Sequence, residues 1–282
     1  MKRFVAVCAA LIVITGAAIL SAGWLLSHPV QTRIGEPPVD LNAQPVTFKS
    51  ESGATVHGWW CPVVNPRGVV SLLPGIRANR LSMVDRARFL RRANYSVLLI
   101  DFQATGETTG DHITFGWKES RDVIAAVEFA RQNAPSSRVA IIGSSLGGSA
   151  ALLASPPLRV DRLVLEAVYP TIEEATNNRL KNYFGPLGRF AAPLLLGQLS
   201  MRLGISATDL RPIDHIARLG CPIFIMSGEK DRNTTAADTR AMFASAAVPK
   251  QLWLIPNVGH VDLHKAARQE YESRVLAFLE QM

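Results

Sequence analysis

Three residues of this chain stand where nucleophilic chemistry could use them. Gly143-Ser144-Ser145-Leu146-Gly147 follows an apolar β-branched run, Val139–Ile142, and leads at Gly148 into a small-residue helical pattern. That is the strand–turn–helix setting of a nucleophile elbow: the tip residue sits in a strained turn, and its neighbours must be small so that strand and helix can close around it. The frame makes Ser145 the nucleophile, Ser144 the intervening residue and Ser149 part of the following helix. A serine hydroxyl is a poor nucleophile at neutral pH, so Ser145 needs a base and an acid that orients it. Histidine is the natural base. Of six histidines, His28 lies in a proline-rich stretch, His57 in an early strand, His112 in a Gly/Thr-rich loop and His215 in a helical pattern; His264 opens the last helix. Only His260, in Val258-Gly259-His260, follows directly after a late strand, at the sheet end where catalytic groups collect. The acid should lie beyond the preceding strand, where Ile223–Ser227 runs into Gly228-Glu229-Lys230-Asp231. Asp231 is the choice, with Glu229 the nearest competitor and Asp238 in the following helix. A tetrahedral oxyanion also needs two backbone donors. The amide of Leu146 is one, and the amide of Ile76, after Pro74-Gly75 at the end of the third strand, is the other.

The rest of the chain reads as the frame for these groups. Val46–Ser50 and Thr55–Val64 flank Ser52-Gly53 as a hairpin, and Val69–Leu73 is a buried strand ending at Pro74. Strands then alternate with helices: Leu81–Ala93, Val97–Asp101, Gly116–Gln132, Val139–Ile142, a helix to about Ala154, Arg162–Glu166, Cys221–Ser227, Ala236–Ala246, Gln251–Ile255 and His264–Gln281. This predicts a mostly parallel sheet of about eight strands, helices on both faces, behind an antiparallel opening pair. Tyr169–Leu219 breaks the alternation. It has no strand pattern and carries Tyr183-Phe184, Phe190, Leu194–Leu196 and Met201, which predicts a helical cap at about 170–219. Packing helices with no part in substrate choice, or a face laid against a membrane over Phe190–Leu203, would read the same way.

With Ser145, Asp231 and His260 in that chain order, the sequence resembles a serine hydrolase of the α/β-hydrolase superfamily, closest to membrane-anchored or secreted bacterial members of the esterase and prolyl-oligopeptidase-like branches. Asp101-Phe-Gln-Ala-Thr-Gly106-Glu107 is similar to the family's Asp-x-Arg-Gly-x-Gly loop, and Arg211-Pro-Ile-Asp214 precedes the acid strand. The resemblance covers roughly Val46 to Met282. It departs at Pro74-Gly75, where the family usually has His-Gly, and at Gln103-Ala104, where it usually has Arg-Gly. It implies the α/β-hydrolase fold and hydrolysis of a carboxylic ester or related acyl bond through an acyl-serine, with no cofactor and no metal. A serine peptidase or an acyltransferase would use the same triad. A catalytically silent, membrane-anchored binding protein would keep the fold alone. The one sequence cluster with ligand-like spacing, His260-Val-Asp262-Leu-His264, has no further His or Cys group beside it.

A length of 282 residues suits one sizeable domain with a short appendage. The net charge of +7 is spread along the chain, and Arg86, Arg88, Arg91 and Arg92 read as a solvated helix face, so a nucleic-acid partner is not expected. Met1-Lys-Arg3 precedes an uncharged stretch, Phe4 to Leu26, which as a helix would span roughly 34 Å, enough for a bilayer core. Residues 1–27 are therefore expected to form an N-terminal anchor or signal segment. Its Lys2 and Arg3 would stay in the cytoplasm and the hydrolase domain would lie outside, on the periplasmic side of a bacterial inner membrane, or be secreted if the segment is cleaved near Ser21-Ala22-Gly23. Residues 28–45, with four prolines, read as an extended linker to a domain over 46–282. Cys8 lies in the apolar segment, and Cys61 and Cys221 read as buried free thiols rather than a disulfide.

Overall fold

Runs apolar at every position have to be covered on both sides, and that requirement shapes the centre of the molecule. The computed structural model describes residues 2–281, without the side chains of Val5, Cys8, Leu11 and Ile12, so the reading of Cys8 lies outside the described residues. An N-terminal helix, α1 (Lys2–Ser27), precedes the sheet. The sheet strands are β1 (Gln44–Lys49), β2 (Thr55–Cys61), β3 (Val69–Leu73), β4 (Ser96–Ile100), β5 (Val139–Ser144), β6 (Arg162–Glu166), β7 (Ile223–Gly228) and β8 (Lys250–Ile255). Their order across the sheet is β8-β7-β6-β5-β3-β4-β2-β1. β2 runs antiparallel to both β1 and β4, and the remaining pairs are parallel. The expected eight-stranded, mostly parallel α/β-hydrolase sheet with an antiparallel opening is therefore what the chain builds.

Helices α2 (Val84–Arg92), α3 (Glu119–Asn133) and α4 (Leu146–Leu152) pack on it, followed by α5 (Ile172–Phe184), α6 (Ala192–Leu196) and α7 (Gln198–Leu203) in the cap region. The chain closes with α8 (Ala236–Ser245), α9 (Leu263–Ala266) and α10 (Arg268–Glu280). One core, with Val123, Ala126, Ala150 and Met242, joins α3, α4 and α8 to one sheet face. The other, with Leu90, Tyr271, Val275 and Phe278, joins α2 and α10 to the opposite face. The single closing helix expected over His264–Gln281 is split at Ala267, whose φ of −141° and ψ of 46° are not helical.

Three readings of the sequence are to be set against the structure. Among the described residues no helix is long and apolar enough to cross a membrane, so the anchor expected over Phe4–Leu26 is not supported. What stands there is α1, whose last turns dock on the domain: Gln198 Nε2 donates to the Ile19 carbonyl at 3.0 Å and Arg202 Nη2 to the Leu20 carbonyl at 2.9 Å. Residues 28–45, read as an extended linker, lie along the domain. Val30–Gln31 pairs in parallel with Thr105–Gly106, Leu41 is fully buried, and Asp40 accepts from Arg88 Nε at 2.7 Å.

The arginine face of α2 is not uniformly solvated either. Arg86 is buried, and its Nε and Nη2 donate to Glu166 at 2.9 and 2.7 Å, while Nη2 also reaches Asp262 at 2.8 Å. Tyr271 donates its hydroxyl to the same Glu166. This fork-to-fork pair ties α2 to the end of β6 and to the loop before α9. Cys61 and Cys221 are both buried free thiols, with Cys61 raised to about 12 by burial. Removing one partner of a buried ion pair leaves the other charge desolvated, which typically costs about 3–5 kcal/mol. Arg86→Ala is accordingly expected to lower the thermal midpoint by roughly 10 °C in calorimetry; an unchanged midpoint would show that the pair holds nothing.

Candidate active site

Strand β5 delivers Ser145 into a backbone conformation that side chains rarely adopt, φ 48° and ψ −109°, at the N-terminus of α4. Such strain typically costs about 1–3 kcal/mol and persists only where the surroundings over-determine it. Here they do. The Ser145 amide donates to the Glu166 carbonyl at 2.7 Å, across to β6. A Cβ on Gly143 would lie 2.6 Å from the Gly148 nitrogen, and one on Gly147 would lie 2.5 Å from the Leu73 carbonyl. No larger residue fits at either side of the turn. Ser144 ends β5 and Ser149 is buried on α4, which leaves Ser145 as the serine at the tip, as expected.

The acid and the base meet beyond β7 and β8. Asp231 Oδ1 accepts the amides of Asn233 at 2.8 Å and Thr234 at 2.9 Å, and its Oδ2 sits 2.7 Å from His260 Nδ1. The two loops can approach because Gly228 has no side chain: a Cβ there would lie 2.3 Å from the Val258 carbonyl. Glu229 points to solvent, and Asp238 is occupied in a capping box with Thr235 at the start of α8. Neither competes with Asp231. The cluster His260-x-Asp262-x-His264 is not gathered. Asp262 caps α9 and pairs with Arg86, whereas His264 is buried with its Nε2 2.9 Å from Glu272 Oε1.

Ser145 and His260 line one cavity of about 300 Å³, together with Ile76, Arg86 and Glu166. Among the described residues no hydrogen bond joins the Ser145 hydroxyl to the His260 ring, whose Nδ1 faces Asp231. On its other side Ser145 lines a second cavity of about 250 Å³ with Ile76, Leu146, Tyr169, Ile172 and Leu195. Ile76 thus borders both cavities, and Leu146 opens α4, where the first amides have no intrahelical partner. The cap contributes Ile172, Ala175 and Leu180 to this second wall, so it covers the site rather than merely packing beside it.

Both loops that depart from the family pattern are held by contacts of their own. Gly75 lies in ordinary contact with Ser145, its virtual Cβ 3.8 Å from the serine Cβ, so Pro74 leaves the close approach of the loop intact. Arg80 braces the loop that carries Gln103-Ala104. Its amide donates to Asp101 Oδ1 at 2.7 Å, and its guanidinium bridges Asp101 and Glu107 while lying 4.7 Å above the Trp59 ring. Burial works against the charge on Glu107, but Arg80 and the amides of Ile34 and Gly35 outweigh it and hold the carboxyl at about 2. Gln103 donates instead to Glu119 Oε1 at 2.7 Å, and its amide to Asp122 Oδ2 at 2.8 Å. Ala104 takes the left-handed conformation, φ 61°, that a glycine would take more easily. Sequence reasoning missed Arg80, which stands directly before the Leu81–Ala93 helical pattern with nothing local to mark its partners.

The comparisons agree with this architecture. The chain belongs to the alpha/beta hydrolase family, whose family model matches residues 55–273. It is 22% identical over 244 residues to the uncharacterized protein YfhR of Salmonella typhi, covering 80% of this chain and 77% of that one. It is 25% identical over 298 residues to the alpha/beta hydrolase domain-containing protein WAV2 of Arabidopsis thaliana, covering 95% and 91%. Among solved structures, the Pyrococcus furiosus esterase Pf2001 superposes with a TM-score of 0.75 at 22% identity, over 91% of this chain and 98% of that one. The esterase EaEST of Exiguobacterium antarcticum gives 0.61 at 16% identity, over 84% and 100%. At these identities the structures establish the shared fold.

Burial raises the Asp122 carboxyl to about 6, against an ordinary 3.8, despite bonds from Ser52 and the Gln103 amide. The folded protein therefore holds this proton more tightly than the unfolded chain, and the contribution of Asp122 to stability falls as pH rises from about 4 through 6. Asp122→Asn should gain about 2–3 kcal/mol relative to the parent between pH 4 and pH 7 in urea denaturation. An equal difference at both pH values would contradict the burial argument.

Proposed function

We propose that the protein is a serine esterase that hydrolyses a carboxylic ester through an acyl-Ser145 intermediate. The observation that carries this reading is the convergence of three elements. A strained serine at the strand–helix turn shares a cavity with a histidine, and that histidine is held 2.7 Å from a buried, twice amide-bonded aspartate. In this reading His260 Nε2 takes the Ser145 proton as Oγ attacks the ester carbonyl, then returns it to the departing alkoxide. Asp231 holds Nδ1 and stabilises the imidazolium. The amides of Ile76 and Leu146 receive the oxyanion. Water then repeats the sequence on the acyl-enzyme and releases the acid. The two cavities divide the substrate: the apolar one suits the acyl group, and the one bordered by Arg86, Glu166 and His260 suits the alcohol.

The test is a set of p-nitrophenyl esters beside aminoacyl-nitroanilides. Ester turnover is expected, falling by about four orders of magnitude or more in Ser145→Ala and by a comparable factor in Asp231→Asn at neutral pH. Preference for the anilides would replace the esterase reading with a peptidase one, and turnover that survives Ser145→Ala would remove the assigned nucleophile.

A further inference from the structure

Helix α1 ends against the site. Gly23 approaches α7 so closely that a Cβ there would lie 2.3 Å from Gln198 Oε1. The Ser27 carbonyl accepts from the Ile113 amide at 2.8 Å. Arg77, next in sequence to the Ile76 amide, donates Nη1 to the Leu25 carbonyl at 2.6 Å and so caps the C-terminus of the helix. α1 is thereby fastened to the cap and to the loop assigned to the oxyanion. One turn apart on its inner side, Ala22 and Leu26 line the cavity of about 250 Å³ that opens on Ser145. The lining opposite them is apolar: Leu146, Ile172, Ala175 and Leu195. Its two charged members are turned to backbone, Arg77 to Leu25 and Arg179 Nη1 to the Ala175 carbonyl at 3.0 Å.

We propose that α1 is a wall of the acyl pocket, and that Ala22 and Leu26 set the length of the acyl chain that Ser145 accepts. This rests on the esterase reading and adds to it a substrate class, esters of apolar acids, and a specificity element contributed from outside the sheet domain. The physical basis is simple. Each methylene of a chain buried in this cavity is worth about fourfold in kcat/KM, and a wall that advances into the cavity removes that gain for the longer chains first. Leu26 is the deeper lever because it can be both enlarged and truncated, whereas Ala22 can only be enlarged.

The experiment uses the full-length protein and reads, within each preparation, the ratio of kcat/KM for p-nitrophenyl octanoate to that for p-nitrophenyl butyrate. A ratio measured in one sample is independent of the fraction that folded. Leu26→Trp and Ala22→Phe are each expected to lower it at least tenfold, and Leu26→Ala to raise the ratio of laurate to octanoate. Ratios that stay at the wild-type value in both enlarged variants would overturn the wall assignment while leaving the esterase reading in place. A wild-type protein that turns over none of these esters would overturn both.

Discussion

The turn at Ser145 constrains everything around it. Its positive φ is tolerated because β6 receives its amide, Gly143 lets the helix fold back and Gly147 lets it lie on Leu73. A residue held this way has little freedom to move, so each partner must be brought to it by its own strand end. The parallel order of β3, β5, β6, β7 and β8 does this, because parallel strands bring their carboxyl ends to one edge of the sheet. Ile76, Ser145, Ala167, Asp231 and His260 all leave the sheet at that edge.

Two buried arginines hold the loops that the sheet only launches. Arg80 clamps Asp101 and Glu107, and in doing so fixes the far end of the Gly75–Asn79 loop that carries Ile76. Arg86 joins Glu166, whose carbonyl takes the Ser145 amide, to Asp262, two residues beyond His260. The Arg80–Asp101 and Arg86–Glu166 pairs are buried, where an imperfect geometry would be costly and a complete one is rigid. The site is thus positioned twice, by the sheet for its residues and by ion pairs for their loops. α1 and the cap add a third layer that shapes the space over Ser145.

What could be read from the sequence follows the range of each signal. Strands were legible because period and turn residues are local, and Ser145, Asp231 and His260 were legible because each follows one of those strands directly. Arg86 was misread because its partner Glu166 is 80 residues away, and nothing in the α2 pattern distinguishes an arginine that turns inward from its solvated neighbours. The same holds for Arg80 and Asp101, 21 residues apart, and for the contacts of residues 28–45, which their prolines mark only as an extended linker. The apolar α1 was read through its composition alone, which carries no information about the contacts of Ile19, Leu20 and Leu25 with the cap and the Arg77 loop.

The central claim is that Ser145 is the nucleophile of an acyl-transfer site. Incubation with a fluorophosphonate, followed by peptide mapping in a mass spectrometer, addresses it directly. A stoichiometric phosphonyl adduct on the peptide that contains Ser145, absent from Ser145→Ala, is the predicted result. An adduct on another residue, or none on a folded protein, would contradict it.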